Sequence, residues 1–160
     1  MFTIKRLNHA VLWVRDARTA AEFYQRVLGF TEVESMGDRA VFLRANGSDN
    51  HHDLGLFGVG AGAGPASKGE RVGLYHLAWE LETIGDLAAA RRDLAEAGAL
   101  TGESDHGVSL SLYAQDPDGN EFEVFWAVPR EEWDQRPGGV RPLDLAGELE
   151  RRGVTVAPAE

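Results

Sequence analysis

Leu7-Asn8-His9-Ala10-Val11-Leu12 and Leu74-Tyr75-His76-Leu77-Ala78-Trp79 are two apolar, strand-like runs, and each carries a histidine at its third place. Self-similarity of this kind decides a fold more firmly than any one local propensity. Beyond the first run stands Asp16, a good N-cap, and then a helical pattern with Ala20, Phe23, Tyr24, Val27 and Leu28 on one face, which Gly29 ends. Beyond the second stands Thr83, another good N-cap, followed by Ile84, Leu87, Ala88, Leu94 and Ala95, with Gly98 as the stop.

Each helix pattern leads into strand-like stretches separated by turn residues. In the first half these are 31–35, 39–45 and 52–57, punctuated by Gly37-Asp38 and Asn46-Gly47. In the second half they are 99–101, 108–115 and 121–126, with Asp116-Pro117-Asp118-Gly119 before the last. The first of these three reads as short. Residues 58–69, rich in Gly and Ala, join the halves. The order predicts an α+β fold of two βαβββ modules, about 5–57 and 72–127, forming a curved mixed-sheet cup with helices outside. That assigns 1–130 to one domain and 131–160 to a C-terminal extension packed on it, with 130–140 as a loop and 143–152 as a short helix.

Composition narrows the function. The 160 residues are 43% hydrophobic and 26% charged, which is globular. A net charge of −10 disfavours nucleic acid and anionic membranes, since both require a basic face. No apolar run nears the roughly 20 residues that span a bilayer, and Met1-Phe2-Thr3-Ile4-Lys5-Arg6 is not a signal stretch, so the chain reads as cytoplasmic. Without cysteine, any metal is held by nitrogen and oxygen.

Among the five histidines, His9 and His76 occupy matching positions of the repeat, so pseudo-symmetry would bring them together. Glu123 alternates with Phe122 and Val124 in the last strand, so it faces opposite to those apolar neighbours. Two imidazoles and a carboxylate on one face, with open positions left over, suit a redox-capable Fe(II). Each residue also has an ordinary reading, as a hydrogen-bonded strand histidine or a solvated edge glutamate, and Glu121 is a rival on the same face.

His106-Gly107-Val108-Ser109, then Leu112-Tyr113-Ala114-Gln115-Asp116-Pro117-Asp118-Gly119, then Glu123, resembles the signature of type I extradiol ring-cleavage dioxygenases within the vicinal-oxygen-chelate superfamily. The turn alone is common across that superfamily; His, Tyr and Glu at this spacing are more specific. His52-Asp53-Leu54-Gly55-Leu56 is similar to the segment of these enzymes that contributes an active-site histidine. The resemblance runs over about 7–126 and matches the metal-bearing half of larger two-domain members. It implies that His9, His76 and Glu123 bind Fe(II), with Mn(II) as the alternative ion. It also implies that His52 is the acid-base group, that His106 lies near the substrate, and that Tyr113 hydrogen-bonds a substrate oxygen. The implied partners are a small aromatic diol and O2, and the implied assembly is a homo-oligomer. Strand alternation leaves His51 as a rival of His52 and leaves Asp53 open as an inward residue, unless a bulge intervenes.

The same superfamily offers other activities. A glyoxalase or epimerase would use four ligands, for which Asp53 is the first half's one candidate. A fosfomycin-resistance thiol transferase would leave His52 and His106 without a role, and a metal-free binding protein would usually lack the triad. Relatives acting on carboxylated catechols place an Arg before the His-Gly pair. Here Glu103-Ser104-Asp105 stands there and would repel a carboxylate, which favours a neutral diol. Trp133 and the tail are expected either at the cup's mouth or on its outside.

Overall fold

The structure, a computed structural model, describes residues 1–66 and 72–155. Two compact units, Met1–Ala66 and Ser67–Glu160, divide the chain, and each carries one copy of the repeat. The boundary falls inside the Gly/Ala-rich joint, whose residues 67–69 lie outside the described residues.

In the first unit β1 (Ala10–Val14) leads into α1 (Ala17–Leu28), β2 (Thr31–Ser35), β3 (Ala40–Arg44) and β4 (Leu54–Gly58). Asp16 caps α1 by accepting from the Thr19 N–H at 2.7 Å, an interaction worth about 1 kcal/mol. Gly29 closes the helix at φ 69°, a conformation that a side chain would strain. Ala20, Phe23, Tyr24 and Val27 are buried, as the helical spacing predicts, and Ala17 and Ala21 join them. The sheet runs β1-β4-β3-β2, with β1 parallel to β4 and the other pairs antiparallel. The last strand of the unit therefore returns beside the first.

The second unit repeats the plan with β5 (Leu77–Leu81), α2 (Ile84–Glu96), β6 (Leu100–Asp105), β7 (Ser109–Gln115) and β8 (Glu121–Ala127), in the order β5-β8-β7-β6. Thr83 and Asp86 form a complete capping box at the start of α2. The core lies between α2 and one sheet face. There Leu87, Leu94, Leu110, Leu112, Phe122 and Val124 are almost wholly buried, each contributing about 1.5–3 kcal/mol. The opposite face of β8 carries Glu121, Glu123 and Phe125.

Several expected boundaries move. The first strand begins at Ala10, so His9 precedes β1 by one residue, as His76 precedes β5. The strand expected to be short, β6, runs six residues to Asp105, because Gly102 to Asp105 pair with β7 although their side chains are polar or absent. Within 130–140, Arg130–Gln135 forms a 3-10 helix rather than open loop. The short helix expected near the C-terminus is α3 (Leu145–Arg151), which packs on α2.

Candidate active site

The parallel pairing of β5 with β8 sets Ala78 opposite Glu123, and the antiparallel pairing of β7 with β8 sets Tyr113 opposite Glu123. His76, at the entry to β5, reaches the same place. Its Nε2 lies 3.1 Å from Glu123 Oε2, and the Glu123 side chain is only 12% exposed. Two donors about 2.1 Å from one ion and about 90° apart lie about 3 Å from each other, so this pair has the spacing of adjacent metal ligands. An imidazole and a carboxylate are donor types that a divalent cation takes.

Glu121 and Glu123 share a face, as alternation requires, yet address different atoms of His76. Glu121 Oε1 is 3.8 Å from Nδ1, too far for a hydrogen bond, and Nδ1 is buried without a hydrogen-bond partner. Ligating histidines characteristically donate their other ring N–H to a carboxylate, and Glu121 stands where that acceptor belongs. The two glutamates thus stand at two positions around one ring.

Tyr113 lies against His76, with ring centroids 5.8 Å apart, and its hydroxyl is 2.8 Å from His106 Nε2. Burial and the neighbouring Glu123 charge raise the Tyr113 pKa, so the phenol keeps its proton and remains a donor. The four residues His76, Glu123, Tyr113 and His106 thus form one contiguous group within the second unit.

In the first unit His9 packs beside His52, with ring centroids 4.6 Å apart, and His52 in turn meets the edge of Phe42 at 5.2 Å. Burial first, then the adjacent His9 and His51, lower the His52 pKa, which favours the neutral base. His51 is exposed, and its Nδ1 lies 3.1 Å from His52 Nδ1. Strand alternation does not apply at this point because β4 begins only at Leu54, and the β3–β4 register is unbroken. Asp53 is buried as an anchor of the preceding loop. Its carboxylate accepts from the Ala45 N–H, the Ser48 hydroxyl and the Asn50 amide at 2.7–2.9 Å, which ties it to its own loop.

Phe42 and Phe57 meet edge to face at 5.8 Å, and Trp13 meets Phe57 at 5.9 Å. Trp13 is 70% exposed, so this sheet face presents aromatic surface. Gly55 lies in its midst, where an added Cβ would meet Phe42 and Val11 at 3.4 Å. The alternation of Phe42 and Phe57 with buried Val41, Leu43, Leu54 and Leu56 escapes notice in the sequence because both strand faces are apolar.

The acidic residues Glu103 and Asp105 before His106 are both paired with arginines. Arg91 holds Glu103 through two contacts of 2.7 and 3.0 Å, and Arg136 and Arg141 hold Asp105 at 3.3 and 2.8 Å. Trp133 donates to the Val128 carbonyl at 2.8 Å and lies under the Arg130 guanidinium. Among the described residues, no group of three or more His, Asp or Glu side chains is gathered as a metal cage, and no helix is long and apolar enough to cross a membrane.

The profile of the Glyoxalase/Bleomycin resistance protein/Dioxygenase superfamily matches residues 6–124. The chain is 32% identical over 152 residues to a catechol-2,3-dioxygenase of Bacillus subtilis (strain 168), a match covering 92% of this chain and 52% of that protein. It therefore spans about half the length of that relative. It is 33% identical over 151 residues to biphenyl-2,3-diol 1,2-dioxygenase 3 of Rhodococcus globerulus, covering 92% of this chain and 78% of the other. Its fold is similar to a glyoxylase/bleomycin resistance protein/dioxygenase domain from Frankia sp. EAN1pec, with TM-score 0.67, 25% identity, and coverage of 79% of this chain and 100% of that one. With the profile extending over both copies of the repeat and far more than half its length, the chain belongs to the Glyoxalase/Bleomycin resistance protein/Dioxygenase superfamily.

Proposed function

We propose that the protein is an Fe(II)-dependent extradiol dioxygenase acting on an aromatic diol. The observation that carries this reading is the contiguity of His76, Glu123, Tyr113 and His106. A ligand-spaced His–carboxylate pair stands next to a protonated phenol that is hydrogen-bonded to a second histidine. The relatives named for cleaving catechol and biphenyl-2,3-diol agree with it.

His76 and Glu123 would hold the metal. Once bound, Fe(II) supplies the one-electron chemistry that couples an electron-rich catecholate to O2. Tyr113 presents its hydroxyl proton to a substrate oxygen and steadies charge developing there. His52, kept neutral, takes a proton from a diol hydroxyl and returns it later in the cycle. His106 holds Tyr113 in place through its Nε2. The aromatic face of Trp13, Phe42 and Phe57 suits a planar apolar ring, which favours diols with extended aromatic surface over small polar ones.

The register favours this reading over a four-ligand lyase or isomerase. In the first unit the place equivalent to Glu123 is Gly55, since Val11 pairs with Gly55 as Ala78 pairs with Glu123. Glycine offers no ligand at that place.

The test is anaerobic loading with Fe(II), followed by O2 consumption in the presence of catechol or biphenyl-2,3-diol. One O2 taken up per diol with a yellow ring-opened product is expected. No uptake by an iron-loaded chain with any aromatic diol would end the proposal.

A further inference from the structure

We propose that Asp105, clamped by Arg136 and Arg141 of the C-terminal extension, is a positioning residue that sets the orientation of the His106 imidazole against Tyr113. The inference rests on the reading of Tyr113 and His106 given above for their use, but not for their geometry.

His106 occupies the tip of the β6–β7 hairpin, where a side chain ordinarily has latitude. Here the backbone on both sides of it is held by residues that follow the repeat. Asp105 and Arg141 exchange both backbone hydrogen bonds at 2.9 Å, an isolated antiparallel bridge. The Asp105 carboxylate accepts from Arg141 Nη2 at 2.8 Å, from Arg136 Nη2 at 3.3 Å and from the Gly107 N–H at 2.7 Å. Arg141 also donates to the Pro137 carbonyl. Gly107 adopts φ 81°, and a Cβ there would meet the Pro137 carbonyl oxygen at 2.8 Å, so backbone from the extension lies directly on the turn. The Val128 N–H donates to the Val108 carbonyl at 3.0 Å. Residues 105, 107 and 108 are thus each fixed from the C-terminal side, and His106 between them has its Cα–Cβ direction determined.

The clamp is itself anchored. Arg136, 13% exposed in its side chain, bridges Asp105 to Glu148 of α3 at 2.6 Å, and Glu148 is 5% exposed. Arg151 reaches the same Glu148 oxygen, while Arg152 pairs with Glu132 and stands over Trp126 of β8. Charge-assisted bonds in a half-dry setting hold geometry more tightly than solvated surface pairs. A hairpin fixed only for stability would not require its carboxylate to bind two guanidiniums and the amide adjoining His106.

The experiment follows the His106 ring nitrogens by long-range 15N NMR in the intact, metal-free chain, with the resonance assigned by its loss in His106→Gln. Asp105→Asn and Arg141→Gln should move the His106 Nε2 resonance toward that of a solvated imidazole. Arg141→Lys should largely restore it, and the off-clamp control Arg130→Ala should leave it in place. In the iron-loaded chain the first two variants should lower kcat by about 10- to 100-fold, with KM changed less. An unmoved His106 resonance in both variants, or an equal shift in Arg130→Ala, would overturn the inference. If the resonance shifts as expected while the native chain cleaves no aromatic diol, the positioning stands and the proposed activity falls.

Discussion

The two units are built to one plan and equipped for opposite tasks. Each places a histidine one residue ahead of its first strand and returns its last strand beside that point. The first unit then lays Gly55 opposite Phe42, where the second lays Glu123 opposite Tyr113. Around Gly55 the exposed face is aromatic; around Glu123 it carries a carboxylate, a phenol and a second histidine. One scaffold thus yields an apolar platform in one copy and a polar, ionisable face in the other. The lesson is that backbone duplication fixes where chemistry can occur, while a few paired positions decide which chemistry does.

The asymmetry can be attacked most directly at Glu123. Glu123→Ala should abolish iron retention and ring cleavage, whereas Gly55→Ala should spare metal content. Elemental analysis and O2 uptake on both variants decide the point, and equal metal loss from the two would break the comparison. A second attack falls on the proton. His52→Gln should cost about 10²–10⁴-fold in kcat/KM. Because burial, His9 and His51 lower the His52 pKa, the acid limb of the native pH profile should lie below the ordinary value of 6.5. His51→Gln removes one repelling charge, so it should move that limb upward.

Gly55→Glu sharpens the contrast by giving the first unit the carboxylate of the second. Its side chain must displace Phe42 or Val11 slightly, which flexible neighbours allow. It should reduce turnover of an aromatic diol about tenfold or more, by placing a charge on the face that the Trp13, Phe42 and Phe57 rings make apolar. On the aromatic side, Phe42→Ala should raise KM for biphenyl-2,3-diol about tenfold while changing kcat little. An unchanged KM would remove the platform from the substrate's path.

The smallest effect concerns the extension. Burial would raise the Asp105 and Glu148 carboxyls. Their arginine partners, and for Asp105 the Gly107 amide, outweigh it and hold both below the usual carboxylate range. Depressed folded-state values mean that the stabilisation is present above the unfolded values, near 4, and is lost as pH falls through the folded ones. Melting temperature should therefore drop below about pH 4. Arg136→Met should flatten that drop, with thermal melts followed by tryptophan fluorescence as the measure.

Much of the plan was readable along the chain because local signals coincided with it. Asp16, Gly29, Thr83 and Gly98 mark helix ends by short-range hydrogen bonding and backbone sterics, and the two histidines mark the repeat. What escaped reading depends on partners distant in the chain. Strand β6 looks too polar to be a strand until β7 and the extension supply its pairing. Asp105 looks repulsive until Arg136 and Arg141 are seen upon it. Asp53 gives no sign in the sequence of the three hydrogen bonds by which it holds its own loop. Glu121 and Glu123 are indistinguishable by alternation and separate only when each is matched to a nitrogen of His76.

The parallel pairing of β5 with β8 also has a consequence for assembly. His76 enters with the unit's first strand and Glu123 with its last, so the two meet only once β8 has paired with β5. An ion held by both stabilises only the finished sheet, in proportion to its free concentration. Metal supply would then act as a quality gate, in which chains that close the last strand correctly retain iron and chains that misplace it do not.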